Sequence, residues 1–408
     1  MKILCFIESY LPGTKGGGPV RGLSNMVAQL SEHHEFFILT RNHDYQDSKT
    51  YTHVESNQWI KNTGEAKVFY ASDRNWKRAS IEAIESLKPN WIYLSGAFSP
   101  MTRALLSACK TNKALQDCKI LLAPHGNLSS AALQHHFWRK YAWIYYARFR
   151  NLYSGISWHT ASAREAAQIR RSFGANEDIR EVPMAPALHD AFESEVTENR
   201  EPLAPDMDSD FGQAVACFCL VYFGRISPEK NLEFAFERLS EFARRHPNLQ
   251  VRYDVIGSGM DEYVAQLKTL VEEMPPNLRI DFIGQLPSVA LHAWLSGASK
   301  SQVASHGKRA VYKAMLMPSL TENFSYTILE SLQAGIPVLV SDQTPWRDLS
   351  AKGVGWDLSL KALDLWRQAL ETLLRQSSTQ EFERQQSALK FAKGWVVAYA
   401  GKATKLFD

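Results

Sequence analysis

Short apolar runs alternate with amphipathic stretches of helical period along most of the chain, and this alternation restricts the fold more than any other feature. The runs are Ile3 to Glu8, Glu35 to Thr40, Lys67 to Ala71, Trp91 to Ser95 and Ile120 to Pro124. A second set follows at Cys217 to Phe223, Val251 to Ile256, Arg279 to Ile283, Ala314 to Pro318 and Pro337 to Ser341. Strands separated by helices return parallel, and a parallel sheet covered on both faces needs strands that are apolar throughout. Between the two sets, His189 to Gln213 is acidic, carries Pro202 and Pro205 and has almost no large apolar residue, which reads as an exposed linker. The pattern predicts an α/β chain of two doubly wound domains facing across a cleft. The first covers residues 1–188, the linker 189–213 and the second domain 214–377. Residues 378–408 read as a helical segment that could pack back on the first domain.

Length and composition agree with two soluble domains. A chain of 408 residues exceeds what one hydrophobic core usually supports, and a net charge of +3 points to no nucleic-acid partner. The charge is unevenly spread: residues 1–188 hold 23 Lys/Arg against 15 Asp/Glu, residues 189–212 hold 1 against 8, and the remainder 22 against 20. No apolar run reaches the roughly 18 residues of a membrane-spanning helix. The opening run, cut off at Glu8 and without a small-residue cleavage site, reads as a first strand and not a signal peptide. Five cysteines with no Cys-x-x-Cys pair fit reduced thiols in a cytoplasmic chain. Cys217 and Cys219, two apart in one strand, are expected to pack and not to bind metal.

Two segments carry chemistry. In Leu220-Val221-Tyr222-Phe223-Gly224-Arg225-Ile226-Ser227-Pro228-Glu229-Lys230-Asn231 a buried strand leads into a helix, with Ser227 suited to cap it and Pro228 to its first position. Free N–H groups at that helix start would share a space with Arg225 and Lys230, an arrangement that suits a diphosphate. By spacing alone it is equally a capped helix with two solvated basic residues. In Pro318-Ser319-Leu320-Thr321-Glu322-Asn323-Phe324-Ser325-Tyr326-Thr327-Ile328-Leu329-Glu330, Glu322 falls in a loop after a strand and Glu330 in the next helix. Both can reach the carboxyl edge of the sheet, where open α/β folds bind ligands.

These residues resemble a known family. Gly224-Arg225-Ile226-Ser227-Pro228-Glu229-Lys230-Asn231 with Glu322-x7-Glu330 is similar to the signature of retaining GT-B glycosyltransferases of family 4, the glycosyl transferases of group 1. Further matches, in the family's order, are Gly16-Gly17-Gly18, Ala123-Pro124-His125-Gly126, Gly257-Ser258-Gly259 and Ser341-Asp342-Gln343-Thr344-Pro345-Trp346. The resemblance implies the GT-B fold of two Rossmann-like domains and transfer of a sugar, with retention, from a nucleotide-sugar donor, UDP- or GDP-linked. It implies a glycan or polyprenyl-linked acceptor, no further cofactor and no metal. By resemblance Arg225 and Lys230 hold the donor diphosphate, Glu330 the ribose and Glu322 the hydroxyls of the transferred sugar. The amides of Phe324 and Ser325 face sugar and diphosphate, Gly17 and Gly18 let the first loop approach the phosphates, Gly257 belongs to the binding set, and His125 stands beside the donor sugar. Catalysis is thus expected of Glu322, His125, Arg225 and Lys230.

The chain departs from the pattern at Ser325, where the family writes Glu-Asn-Phe-Gly, and over Gly297 to Val311, which is longer and more basic than usual and reads as a solvated insertion or a loop with its own partner. The resemblance to members containing Thr344-Pro345-Trp346 suggests bacterial surface polysaccharide assembly, O-antigen or capsule. Other readings are a GT-B-fold sugar-nucleotide epimerase or hydrolase and a non-catalytic partner subunit. Asp206-Met207-Asp208-Ser209-Asp210 mimics a metal motif but lies in the linker and not at a strand end. Finally, Phe137 to Arg150 predicts a helix with Phe137, Trp138, Tyr141, Ile144, Tyr145 and Phe149 on its core face. Its opposite face, with Arg139, Lys140, Trp143, Tyr146 and Arg150, is expected to meet an anionic membrane surface, a peripheral site at the inner membrane.

Overall fold

The computed structural model describes residues 1–13, 15–61, 66–109, 111–134, 137–174, 177–186, 217–295 and 312–408. The linker with Asp206 to Asp210 and the whole 297–311 segment lie outside the described residues. Two compact units are present: Met1–Leu188 with Val397–Asp408, and His189–Val396.

In the first unit an eight-stranded sheet runs β3-β4-β2-β1-β5-β6-β7-β8. Its strands are β1 (Lys2–Phe6), β2 (Glu35–Arg41), β3 (Trp59–Lys61), β4 (Lys67–Ala71), β5 (Trp91–Ser95), β6 (Lys119–Ala123), β7 (Ser157–Thr160) and β8 (Asp178–Glu181). Only β3 is antiparallel to its neighbour. Helices α1 (Gly18–Leu30), α2 (Trp76–Leu87), α3 (Pro100–Ala108), α4 (Lys113–Gln116), α5 (Ser130–Gln134), α6 (Phe137–Phe149) and α7 (Ala163–Phe173) connect them. Leu4, Phe6, Leu39, Leu94, Leu122 and Trp158 are almost wholly buried in the core against α2, α3 and α6. Five of the strands stand where the apolar runs predict them. Strands β3, β7 and β8 were not legible: β7, Ser-Trp-His-Thr, is short and polar at three of its four positions, and in β8 Ile179 is the lone apolar residue.

The second unit holds a parallel sheet in the order β11-β10-β9-β12-β13-β14. Strands β9 (Cys217–Phe223), β10 (Gln250–Ile256), β11 (Leu278–Gly284), β12 (Tyr312–Met317), β13 (Val338–Ser341) and β14 (Gly355–Leu358) alternate with α8 (Leu232–Arg245), α9 (Asp261–Glu272), α10 (Ser288–Leu295), α11 (Tyr326–Gln333) and α12 (Leu363–Arg375). Numbered within the unit this is 3-2-1-4-5-6, the doubly wound order whose direction reverses between β9 and β12. Cys217 and Cys219 lie on one side of β9 with their sulfurs 3.2 Å apart.

The last helix, α13 (Ser378–Ala403), and a 3-10 turn at Thr404–Phe407 follow. Residues 397–408 belong to the first unit, where Phe407 is buried among Phe36, Trp91 and Tyr93 at ring-centre distances of 6.2, 6.1 and 6.3 Å. Arg180 donates to the carbonyls of Leu406 (2.8 Å) and Asp408 (3.1 Å).

The expected core face of α6 is corrected. Trp138, Tyr145 and Phe149 are 82, 77 and 77% exposed, and Ile144 and Ala147 are the helix's buried residues. Trp143, expected outside, is half-buried and donates from Nε1 to Tyr153 Oη (3.0 Å), with Arg103 4.3 Å above its ring. Lys140 also turns inward, donating to the Ala132 carbonyl. The small side chain of Ala147 and the amphipathic bodies of Lys140 and Trp143 let the helix approach closely, and these contacts outweigh the hydrophobicity of the outer aromatics.

Candidate active site

At the reversal of strand order, the loops after β9 and β12 meet. β9 ends in Phe223, and the chain turns through Gly224 and Arg225. Tyr222, buried, donates its hydroxyl to the Arg225 carbonyl (2.6 Å), and burial pushes its pKa well above the usual range, so that donor stays in place. Arg225 is exposed.

This loop is joined to the one after β10 through backbone alone. Gly224 N–H donates to the Ile256 carbonyl (2.9 Å) and Ile226 N–H to Ser258 (2.8 Å). Gly257, at φ 149°, has no room for a side chain, because a Cβ there would stand 1.8 Å from the Gly224 carbonyl oxygen. Contact between the two loops therefore requires glycine at this position.

The helix expected to start at Pro228 is a single 3-10 turn, Pro228–Lys230, and Ser227 makes no capping bond. Asn231 then adopts the left-handed conformation (φ 57°), which asparagine tolerates better than most residues, and α8 begins at Leu232. The Asn231 side chain donates to the Pro318 carbonyl (3.1 Å), and Leu320 N–H donates to Glu229 O (2.8 Å). These ties, and not a cap, hold Lys230 against the loop after β12.

There Lys230 donates to Glu322, as does Ser319 Oγ at 2.9 Å, both on Oε1. The two charged side chains are 15 and 10% exposed. No described residue donates to Glu322 Oε2. Glu322 N–H is held by the Gln343 carbonyl (3.1 Å), and Trp346 Nε1 donates to the Phe324 carbonyl (2.6 Å), fixing the loop from beneath. An ammonium has three donors, and one is committed to Glu322.

Ser325 is the N-cap residue of α11 and is left-handed at φ 68°, ψ 87°, a conformation that costs a non-glycine residue roughly 1–2 kcal/mol. This is why glycine suits the position. Here the hydroxyl bonds locally to Thr327 Oγ1 (3.0 Å), and the Thr327 methyl lies beside Gly224. Glu330 is half-buried one turn further along α11. Arg225, Lys230, Glu322, Phe324, Ser325 and Glu330 thus occupy one end of one sheet, with the first turn of α11 supplying oriented amides.

Gly17, Gly18 and His125 belong to the first unit. Gly17 (φ 62°) precedes α1 in open space, so its lack of a side chain serves the backbone conformation and leaves the loop surface uncovered. His125 follows β6 at φ 52°, and its Nε2 lies 2.8 Å from Ser95 Oγ. Burial, with His159 adding to it, lowers its pKa to about 3, so the ring is neutral near pH 7. His159 is buried too, at about 4; its Nε2 donates to the Val182 carbonyl (2.9 Å), so its Nδ1 accepts from Tyr93 (3.0 Å).

Sequence reasoning passed over two residues that shape these sites. Ser319 lies fully buried beside Glu322. Glu165 accepts from Gly126 N–H (2.6 Å) and Ala161 N–H (2.9 Å), holding the His125 turn. The Ser162-x-x-Glu165 spacing, a capping-box pattern at the start of α7, was its signal.

Residues 216–388 match the family model of the glycosyl transferases group 1. This stretch is similar to the group 1 glycosyltransferase domain. The matched stretch contains Arg225, Lys230, Glu322 and Glu330. No curated protein matches the chain. Similar solved structures include HepE of Anabaena in complex with UDP and glucose (13% identity, 99 and 98% of the two chains, TM-score 0.63). Others are WaaG, a glycosyltransferase involved in lipopolysaccharide biosynthesis (13%, 99 and 99%, 0.62), and the apo form of the lipopolysaccharide outer core galactosyltransferase WaaB (18%, 100 and 99%, 0.57). At these identities the likeness is one of fold: two parallel-sheet, Rossmann-like domains, the GT-B fold.

Proposed function

We propose that the chain is a retaining glycosyltransferase that moves a sugar from a UDP- or GDP-linked donor to a glycan or lipid-linked acceptor in bacterial surface polysaccharide synthesis. The observation that carries this reading is the Lys230–Glu322 pair at the strand-order reversal, with Arg225 on the same loop and the start of α11 opposite. The leaving nucleoside diphosphate gains negative charge as the glycosidic bond breaks, and Arg225, Lys230 and the α11 amides stabilise it. Glu322, anchored through Oε1, accepts from sugar hydroxyls through Oε2. Glu330 accepts from the ribose. Retention fits a front-face route in which the leaving phosphate takes the proton of the incoming hydroxyl. WaaG and WaaB, both lipopolysaccharide proteins by their descriptions, support the acceptor class.

Incubating the purified protein with a panel of UDP-, GDP- and ADP-sugars, with and without acceptor glycans, tests this. Acceptor-dependent transfer that persists in EDTA is expected. Donor epimerisation or hydrolysis indifferent to acceptor would replace the reading with a sugar-nucleotide epimerase or hydrolase. Loss of transfer in EDTA with recovery on adding a divalent cation would return Asp206 to Asp210 to consideration.

A further inference from the structure

From residue 118 to residue 164 the chain contains no aspartate or glutamate, while Lys119, Arg139, Lys140, Arg148, Arg150 and Arg164 fall within it. Helix α6 lies in this run. With Ile144 and Ala147 buried, a helix at about 100° per residue turns Trp138, Tyr145 and Phe149 directly away from the core. They form a ridge roughly 16 Å long at 1.5 Å per residue. Arg139 and Arg150 flank it on one side and Arg148 on the other, all exposed.

The mounting is rigid. Trp143 is held by Tyr153, whose hydroxyl donates to the Ala97 carbonyl (3.0 Å), and Arg103 covers the Trp143 ring. These contacts tie α6 to the segment that follows β5 at the carboxyl edge of the first sheet.

We propose that this ridge, turned about the helix from the face the sequence suggested but sharing Arg139 and Arg150 with it, docks the first unit on an anionic lipid surface. Tryptophan and tyrosine present an apolar body and a polar tip, which suits the headgroup level, and flanking arginines suit lipid phosphates. A straight convex line with basic flanks matches a plane of negative charge, and the acid-free run removes local repulsion. The proposal does not depend on the glycosyltransferase reading, because binding is measured without turnover.

Co-sedimentation of the full chain with phosphatidylcholine vesicles, pure or mixed with phosphatidylglycerol, tests it. Binding only to the mixed vesicles is expected, weakening as salt is raised, with each arginine replaced by glutamine costing about fivefold. W138A/Y145A/F149A abolishes binding. These side chains are exposed, so unfolding temperature should be unchanged; should that variant nevertheless unfold, R139Q/R148Q/R150Q decides alone. Equal binding to neutral vesicles, no binding, or undiminished binding by the variants would overturn the proposal. So would self-association in solution that W138A relieves, since the ridge would then belong to a second copy.

Discussion

The surroundings of Lys230 and of His125 occupy equivalent places, at the carboxyl ends of parallel strands, yet they are built from different chemistry. Around Lys230 a charged pair is locked on one carboxylate oxygen, and the supporting loops touch backbone to backbone. Around His125 the partner is a serine hydroxyl, and the carboxylate that holds its turn, Glu165, is occupied by two backbone amides. Topology sets where a site can form. Side chains set the charge it presents, and of these two places the Lys230 site is the one that holds cationic donors, Lys230 and Arg225, suited to a dianion.

The sharpest break in this comparison comes from glycine. Gly257→Ala forces a Cβ into the Gly224 carbonyl at an unfavourable φ, and should cost about 4 kcal/mol or more, seen as a large fall in unfolding temperature. Gly17→Ala, in open space, should cost only about 1–2 kcal/mol. Equal losses would mean that the two loops are not differently packed.

Lys230→Ala should slow transfer by about 10²-fold or more, the scale for losing a transition-state charge partner, with the fold intact. A near-normal rate would remove the charged pair from the chemistry. The histidine side should answer to pH. Folded values near 3 and 4, below the ordinary 6.5, mean that the unfolded chain takes up more protons as pH falls below 6.5. Stability is full above that value and is lost on acidification, by about 2 kcal/mol per histidine at pH 5. Chemical denaturation of His159→Asn should show a flatter dependence between pH 7 and pH 5, and an unchanged slope would refute the assignment. The smallest effect belongs to Ser325→Gly. Relief of the left-handed serine should raise stability by up to about 1 kcal/mol, partly offset by a freer unfolded chain, and a loss on equilibrium unfolding would show that the Thr327 contact matters more.

Ten strands were legible as short apolar runs between helical stretches, two of them interrupted by charges, Arg252 and Asp254 in one and Arg279 and Asp281 in the other. Strands such as Ser157–Thr160 were not, since their burial comes from neighbours distant in sequence. Lys230 and Glu322 could be named from the sequence, and their direct pairing could not, because it depends on Asn231 reaching Pro318 across 87 residues. For α6, periodicity located an amphipathic helix and misassigned its inner face. Its seven aromatics cannot all turn one way, and Ala147 decided the matter by closeness of approach.

Phe407 carries a consequence for synthesis. The ribosome makes the first 188 residues before the second unit exists, yet the socket lined by Phe36, Trp91 and Tyr93 receives its plug from residues 397–408. At roughly 5–20 residues per second, the delay between Leu188 and Phe407 is on the order of 10–40 s. During that interval the nascent domain displays an aromatic opening to any chaperone or sticky neighbour, so the part of the protein born first is completed last.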